Sequence, residues 1–289
     1  MSKNQSLKDY EDLIRVIHEK HDSMSKTYQS IAVYLTQNPN DVAIKSVNSI
    51  AEGCGIHASS FVRFAQSLGF TGFKELQEVF QRRLSTAAPG FEARIKALAG
   101  ELGGGKAEGD ASFLRELVLR DIASLQELLT DVSNESVSNA VTLLNKANVI
   151  FLIGQLRSAP VVELMRYVLT MLGKKTVLLD ASGGLATHMA KVMGPRDLLI
   201  AVSFRFYARE TVNIAEDAAT RGVPILAITD STLSPLAKGA TALFTVPEHE
   251  YIFSRSLAAP MCIAQALLVS LAAKLQKEGA PRIPTVTQP

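Results

Sequence analysis

Ser46-Val-Asn-Ser-Ile-Ala-Glu-Gly-Cys-Gly-Ile-His-Ala-Ser-Ser-Phe-Val-Arg-Phe-Ala-Gln-Ser-Leu-Gly69 is the stretch on which the fold turns. Two short helices that cross steeply need a small residue where they touch and a glycine able to take positive φ in the turn. Ala51 and Gly55 meet those needs, and Ile50, Cys54, Ile56, Phe61 and Phe64 supply the apolar positions that pack the pair. In the second helix Phe61, Phe64, Ala65 and Leu68 share one face, which leaves Ser59, Ser60, Arg63, Gln66 and Ser67 on the other. The pattern is a helix-turn-helix whose polar face is placed to meet a major groove. Arg63 carries the most weight, because arginine bonds a guanine edge at two points or anchors a phosphate. A helical hairpin with a merely solvated polar face is the alternative.

Upstream, Leu7, Tyr10, Ile14 and Ile17 recur at helical spacing, and Ile31, Tyr34 and Leu35 resume it after a break at His21–Ser25. Asn38-Pro39-Asn40-Asp41 stops that helix. Residues 1–85 therefore form an all-α domain. Between residues 45 and 85, Lys45, Arg63, Lys74, Arg82 and Arg83 oppose Glu52, Glu75 and Glu78. Such a small positive excess suits paired recognition helices better than a single one. Residues 86–110, with Ala87-Ala88-Pro89-Gly90 and Gly103-Gly104-Gly105, read as a linker carrying one short helical piece, Phe91–Ala99. No strand precedes these glycines and no Gly-Lys-Ser/Thr follows, so they are not a phosphate loop.

Downstream the rhythm changes. A helix with Leu114, Leu117, Val118, Ile122, Leu125 and Leu129 on one face leads into short apolar runs at 149–153, 176–179, 198–203, 225–229 and 242–246. Helical segments at 159–172, 185–192, 208–221 and 234–238 separate them, and a long apolar helix, 257–277, closes the chain. Continuous apolar runs in alternation with helices predict a doubly wound α/β domain over 111–289, with five parallel strands.

Composition is compatible with two soluble domains: 289 residues, 47% hydrophobic and 20% charged. With 30 basic against 28 acidic side chains, overall charge points to no polyanionic partner, so a DNA site must be local. Cys54 and Cys262 fall in apolar helical contexts of different halves and read as buried free thiols in a reducing compartment. The polar Met1–Tyr10 segment lacks a signal-peptide core. Leu257 to Ala273, interrupted by Pro260, Gln265 and Ser270, falls short of the ~20 apolar residues of a membrane span and reads as a buried helix. A cytoplasmic location is expected, with no membrane partner.

Asn38-Pro39, then Ser49-Ile-Ala-Glu52, then Val-Arg-Phe-x-x-x-Leu-Gly-Phe-x-Gly-Phe-x-Glu-Leu over Val62 to Leu76, resembles the RpiR-type family of bacterial sugar-responsive regulators. The resemblance implies an N-terminal helix-turn-helix and a C-terminal sugar isomerase (SIS) domain. Where that family usually carries Val-Ser-x-Ala-Thr-Val, this chain has Ile56-His57-Ala58-Ser59-Ser60-Phe61. His57 replaces a serine N-cap, so a weaker cap is expected.

Ligands of open parallel sheets sit beyond the carboxyl ends of the strands, where helix N-termini offer amides to anions. Two strand-to-helix junctions stand there, Gly154-Gln155-Leu156-Arg157-Ser158 and Ser203 through Thr211. Both resemble SIS loops, Gly-x-Gly-x-Ser and Ser-x-Ser-Gly-x-Thr, that hold a sugar phosphate; Ser158 and Ser203 match. Leu156 replaces the second glycine, and Arg205, Phe206 and Ala208 replace the middle serine, the glycine and the threonine. Arg205 and Arg157 add fixed positive charge. Expected ligand residues are thus Gln155, Arg157, Ser158, Ser203 and Arg205, holding a small anionic, sugar-derived effector; structural ion pairs or a vestigial pocket are the other readings. Ser182-Gly183-Gly184 and Arg255-Ser256 lie at the same rim by position.

The composite expectation is a transcriptional regulator of sugar catabolism that binds a double-stranded DNA operator as a homodimer or homotetramer. A sugar-phosphate isomerase is the alternative, with Glu210, Glu248, Glu250 and His188 available but in no recognisable acid–base pair. An oligomer without ligand or catalysis is a third. His18 and His21, an i, i+3 pair, lack further ligands, and neither a metal site nor a cofactor is expected.

Overall fold

The computed structural model describes residues 10–87, 111–180, 184–205, 207–246 and 256–279. The chain divides into two compact units, Met1–Gly105 and Lys106–Pro289. Most of the segment expected as a linker, including Phe91–Ala99, lies outside the described residues.

The first unit is helical: α1 (Tyr10–His21), α2 (Lys26–Gln37), α3 (Pro39–Ile44), α4 (Val47–Cys54), α5 (Ala58–Ser67) and α6 (Phe73–Ala87). The break before α2 is a cap, since the Ser25 hydroxyl accepts from the Tyr28 amide. Pro39 opens α3, where its missing N–H costs nothing. In α1 the buried residues are Tyr10, Leu13 and Ile17, so Leu13 rather than Ile14 completes the inner face. Edge-on aromatic pairs tie the bundle, Tyr10 with Phe80, Tyr28 with Phe64 and Phe61 with Phe73. Two glutamines of α6 finish α3: Gln77 Nε2 donates to the carbonyls of Val42 and Lys45, and Gln81 Nε2 to that of Ala43. They satisfy carbonyls that a helix end leaves without intrahelical partners.

The second unit runs α7 (Ala111–Asp131), α8 (Asn134–Lys146), β1 (Ile150–Ile153), α9 (Ala159–Met171), β2 (Thr176–Leu178), α10 (Ala186–Ala190), β3 (Leu198–Val202), α11 (Arg209–Thr220), β4 (Ile225–Thr229), β5 (Ala242–Thr245) and α12 (Ala258–Lys277). All strand pairs are parallel, in the order β2-β1-β3-β4-β5. Side chains alternate between faces along each strand. Ile150, Leu152, Leu198 and Ile200 pack with α8, α9 and α12, while Phe151, Ile153, Leu199 and Ala201 pack with α10 and α11. The sheet is therefore covered on both sides, as its apolar runs require. The expected 234–238 helix is instead a 3-10 turn at Ala237–Gly239.

On α7 Leu125 and Leu128 pack on the core, whereas Leu114, Leu117, Val118, Ile122 and Leu129 are exposed, Leu129 at 83%. One sequence expectation changes here. The cysteines are free but not buried, Cys54 being half-buried and Cys262 exposed. A helix that is apolar all round, as α12 is, carries no periodicity to say which side faces inward. In α12 Ile263, Ala264, Leu267, Leu268 and Leu271 are buried, while Cys262, Ala266 and Val269 lie on the exposed side. By length and composition α12 is also apolar enough to cross a bilayer, a property that its sheet-covering face explains.

Candidate functional site: a recognition helix and a sheet-edge crevice

The helix pair of the first unit is built from its ends. Ser46 caps α4 by accepting from the Ser49 amide at 3.2 Å. Gly55 closes α4 in the left-handed region, φ +64°, and lets the Ile56 amide reach back to the Ala51 carbonyl at 3.0 Å. A Cβ at Gly55 would meet no atom within 4 Å, so conformation rather than space demands glycine there. Helix α5 then starts at His57, whose side chain makes no capping hydrogen bond.

Phe61, Phe64 and Ala65 bury the inner side of α5. Ser59, Arg63, Gln66 and Ser67 are exposed on the outer side, with Ser60 half-buried at its margin. Two of these are held locally: Ser67 Oγ donates to the Phe64 carbonyl at 2.7 Å, and Gln66 Nε2 to the Thr71 carbonyl at 3.4 Å. The Phe-x-Gly-Phe-x-Glu block that follows is structural. Glu75 reaches back to accept from the Thr71 amide at 2.7 Å and its hydroxyl at 2.9 Å, starting α6. Burial pushes the Cys54 thiol up.

In the second unit the crevice lies between β1 and β3. The chain leaves β1 for α9 on one face and β3 for α11 on the other, the switch point at which such sheets bind ligands. Gly154 ends β1, and a Cβ there would stand 2.9 Å from Val162 Cγ1 and 3.1 Å from the Ser158 carbonyl. Leu156 follows with φ +53°, exposed at 84%. Its backbone stands in the left-handed region that suits a glycine. Ser158 is buried at the entry of α9.

Three contacts join this loop to its neighbours. Arg157 lies over the Phe204 ring, 4.6 Å from its centroid, and donates to the Ser256 carbonyl at 3.3 Å. Gln155 Nε2 donates to Glu210 Oε2 at 2.6 Å. Glu210 Oε1 also accepts from Thr187 Oγ1 at 3.4 Å. In the second loop Ser203 is buried and its hydroxyl accepts from the Ala208 amide at 3.3 Å, while the Arg205 amide donates to Asp230 at 3.0 Å. Arg205 is half-buried. The loops carrying Gln155, Arg157, Ser158, Ser203 and Arg205 thus meet at one sheet edge. Ser256 joins them, whereas Ser182, Gly183, Phe206, Glu248, Glu250 and Arg255 lie outside the described residues. His188 is exposed on α10, and no cluster of metal-binding side chains occurs among the described residues. Sequence reasoning did not pair Gln155 with Glu210, since 55 residues separate them.

Comparison with known proteins adds the lineage. Residues 11–87 match the family model described as a helix-turn-helix domain of the rpiR family, and residues 143–270 match the SIS domain. The sugar isomerase domain of an RpiR transcription factor from Sphaerobacter thermophilus superposes with TM-score 0.54 at 30% identity, over 56% of this chain and 90% of that one. The chain belongs to the RpiR family. This RpiR-family chain is also 29% identical over 261 residues, 88% of each sequence, to the HTH-type transcriptional regulator YfhH of Escherichia coli. The NanR protein of Vibrio vulnificus, complexed with ManNAc-6P, shares the fold with TM-score 0.53 at 20% identity, over 93% of this chain and 95% of that one. The RpiR-family chain is accordingly a DNA-binding transcriptional regulator in class, with a helix-turn-helix and a SIS domain.

Proposed function

We propose that the chain regulates genes of sugar or carbohydrate catabolism and that a small anionic, phosphosugar-like effector bound in its SIS domain sets its affinity for a double-stranded DNA operator. The observation that carries this reading is the meeting of two arginine-bearing loops at the β1–β3 switch point, with Ser158 and Ser203 buried beside them. In the proposal Arg157, Ser158, Ser203 and Arg205 take the anionic group and Gln155 contacts the remainder. NanR, of the same fold, is complexed with ManNAc-6P, a precedent for this ligand chemistry. The DNA contacts fall to Ser59, Ser60, Arg63, Gln66 and Ser67. Two copies pair through the exposed apolar sides of α7 and α12, as a homodimer or homotetramer in the cytoplasm. Two-fold symmetry is what a palindromic operator requires of a protein with one recognition helix per chain. Residues 1–85, 86–110 and 111–289 act as reader, linker and sensor.

The test is a gel-shift titration with DNA upstream of the neighbouring genes, with and without sugar phosphates. Arg63→Ala is expected to weaken binding by ~1–3 kcal/mol with an unchanged melting temperature. Arg205→Ala is expected to keep DNA affinity and lose the effector response. An Arg205→Ala protein responding with the same midpoint would place the sensing site elsewhere.

A further inference from the structure

The sensing-site reading assigns the anionic end of the effector and leaves the rest of the molecule without a reader. Across the β1–β3 crevice, one carboxylate holds elements that follow three different strands. Glu210, in the first turn of α11 after β3, accepts from Gln155 of the loop after β1 and from Thr187 of α10 after β2. Glu210 and Gln155 are half-buried and Thr187 is exposed, so the group sits at the crevice mouth rather than in the core. Its first oxygen is closely held, at 2.6 Å, and its second weakly, at 3.4 Å.

An ionised carboxylate is an acceptor only, with two oxygens and about four lone-pair sites. It attracts hydroxyl or ammonium donors and repels a second anion. Arg157 and Arg205, on the loops flanking the same crevice, have the opposite preference. The loops that meet at the crevice therefore carry fixed cations as well as an anionic acceptor. An amide and a hydroxyl now donate to Glu210, the same donor chemistry that two neighbouring sugar hydroxyls would bring. A polyol can take their places without leaving the carboxylate unpaired, whereas an apolar group there would remove donors and return none.

We infer that Glu210 is the specificity-determining residue of the sensing site, reading the hydroxyl-bearing part of an effector whose anionic end the arginines take. The inference rests on the sensing-site proposal above and deepens it. The preferred class is a singly anionic polyol, a sugar monophosphate or sugar acid; compounds with a second anion on the polyol end are rejected.

The experiment is isothermal titration calorimetry of the full chain with n-butyl phosphate, glucose 6-phosphate, glucosamine 6-phosphate, fructose 1,6-bisphosphate and gluconate, using the unaltered protein, Glu210→Gln, Glu210→Asp and Arg205→Ala. At least one monophosphate or sugar acid is expected to bind the unaltered protein about tenfold or more tightly than butyl phosphate. Glu210→Gln is expected to bring that ratio close to one, with butyl phosphate still bound, and to relax exclusion of the bisphosphate. Glu210→Asp keeps the charge and is expected to restore part of the preference, which a purely structural clamp would not do. If Glu210→Gln keeps the full preference while Arg205→Ala binds nothing, the sensing site stands and the role given to Glu210 is wrong. If no anionic compound binds the unaltered protein, or Arg205→Ala binds as it does, the sensing-site proposal fails and this inference with it. Should Glu210→Gln not fold, as judged by thermal unfolding, the comparison of Glu210→Asp with the unaltered protein decides, and an undiminished ratio there overturns the inference.

Discussion

Gly55 and Leu156 both hold positive φ, +64° and +53°, in the two halves of the molecule. The first closes the turn before the recognition helix with the residue type suited to it. The second opens the 3-10 turn Leu156–Ser158 at the sheet edge with a residue that the left-handed region disfavours by roughly 1–2 kcal/mol. In the helical unit, local sequence and local structure agree. At the sheet edge the surroundings impose the shape, through the close approach of Gly154 to Val162 and the hold of Arg157 on Phe204 and Ser256. Local strain that survives because its neighbours dictate it clusters at binding sites. Shape at the sheet edge is thus maintained against propensity.

The largest effect is expected of Gly55→Val. A β-branched residue at positive φ should destabilise the helical unit by about 2 kcal/mol, although a Cβ there meets nothing. Chemical denaturation reads the loss, and an unchanged midpoint would mean the turn tolerates any residue. Leu156→Gly makes the converse change and should stabilise the second unit by about 1 kcal/mol, because relief of strain exceeds the entropy glycine adds to the unfolded chain. A drop in melting temperature would show that the exposed leucine makes a contact of its own. Glu75→Ala removes both bonds to Thr71 and should cost about 1 kcal/mol by the same denaturation assay. The smallest effect is expected of His57→Ser, which supplies the missing cap on α5 and should add about 0.5 kcal/mol. Destabilisation by that change would mean that the imidazole is used in packing.

These four residues also mark how far the sequence can be read. The helix pair was legible because its requirements are short-range: a small residue, a flexible turn and an inner face all fall within one stretch. The five strands were legible because burial on both sides leaves no polar interruption. What was not legible depends on partners far along the chain. The glutamines that finish α3 come from α6, and the donors to Glu210 come from two other loops. The orientation of α7 and α12 was hidden for another reason, since apolar residues on two sides of a helix leave two equivalent choices for the inner one. Sequence placed the candidate ligand residues at one sheet edge, yet it did not foresee that the Ser203 hydroxyl also accepts from the Ala208 amide within its own loop.

The reach of Arg157 has a mechanical side. Its guanidinium grips the Ser256 carbonyl, and the Ser256 hydroxyl accepts from the Ala258 amide at the start of α12. A helix of 20 residues is a stiff rod about 30 Å long. Tilting a rod of that length by a few degrees at one end displaces the other by a couple of ångströms. Whatever draws Arg157 aside therefore also takes hold of the residue that caps the start of this rod.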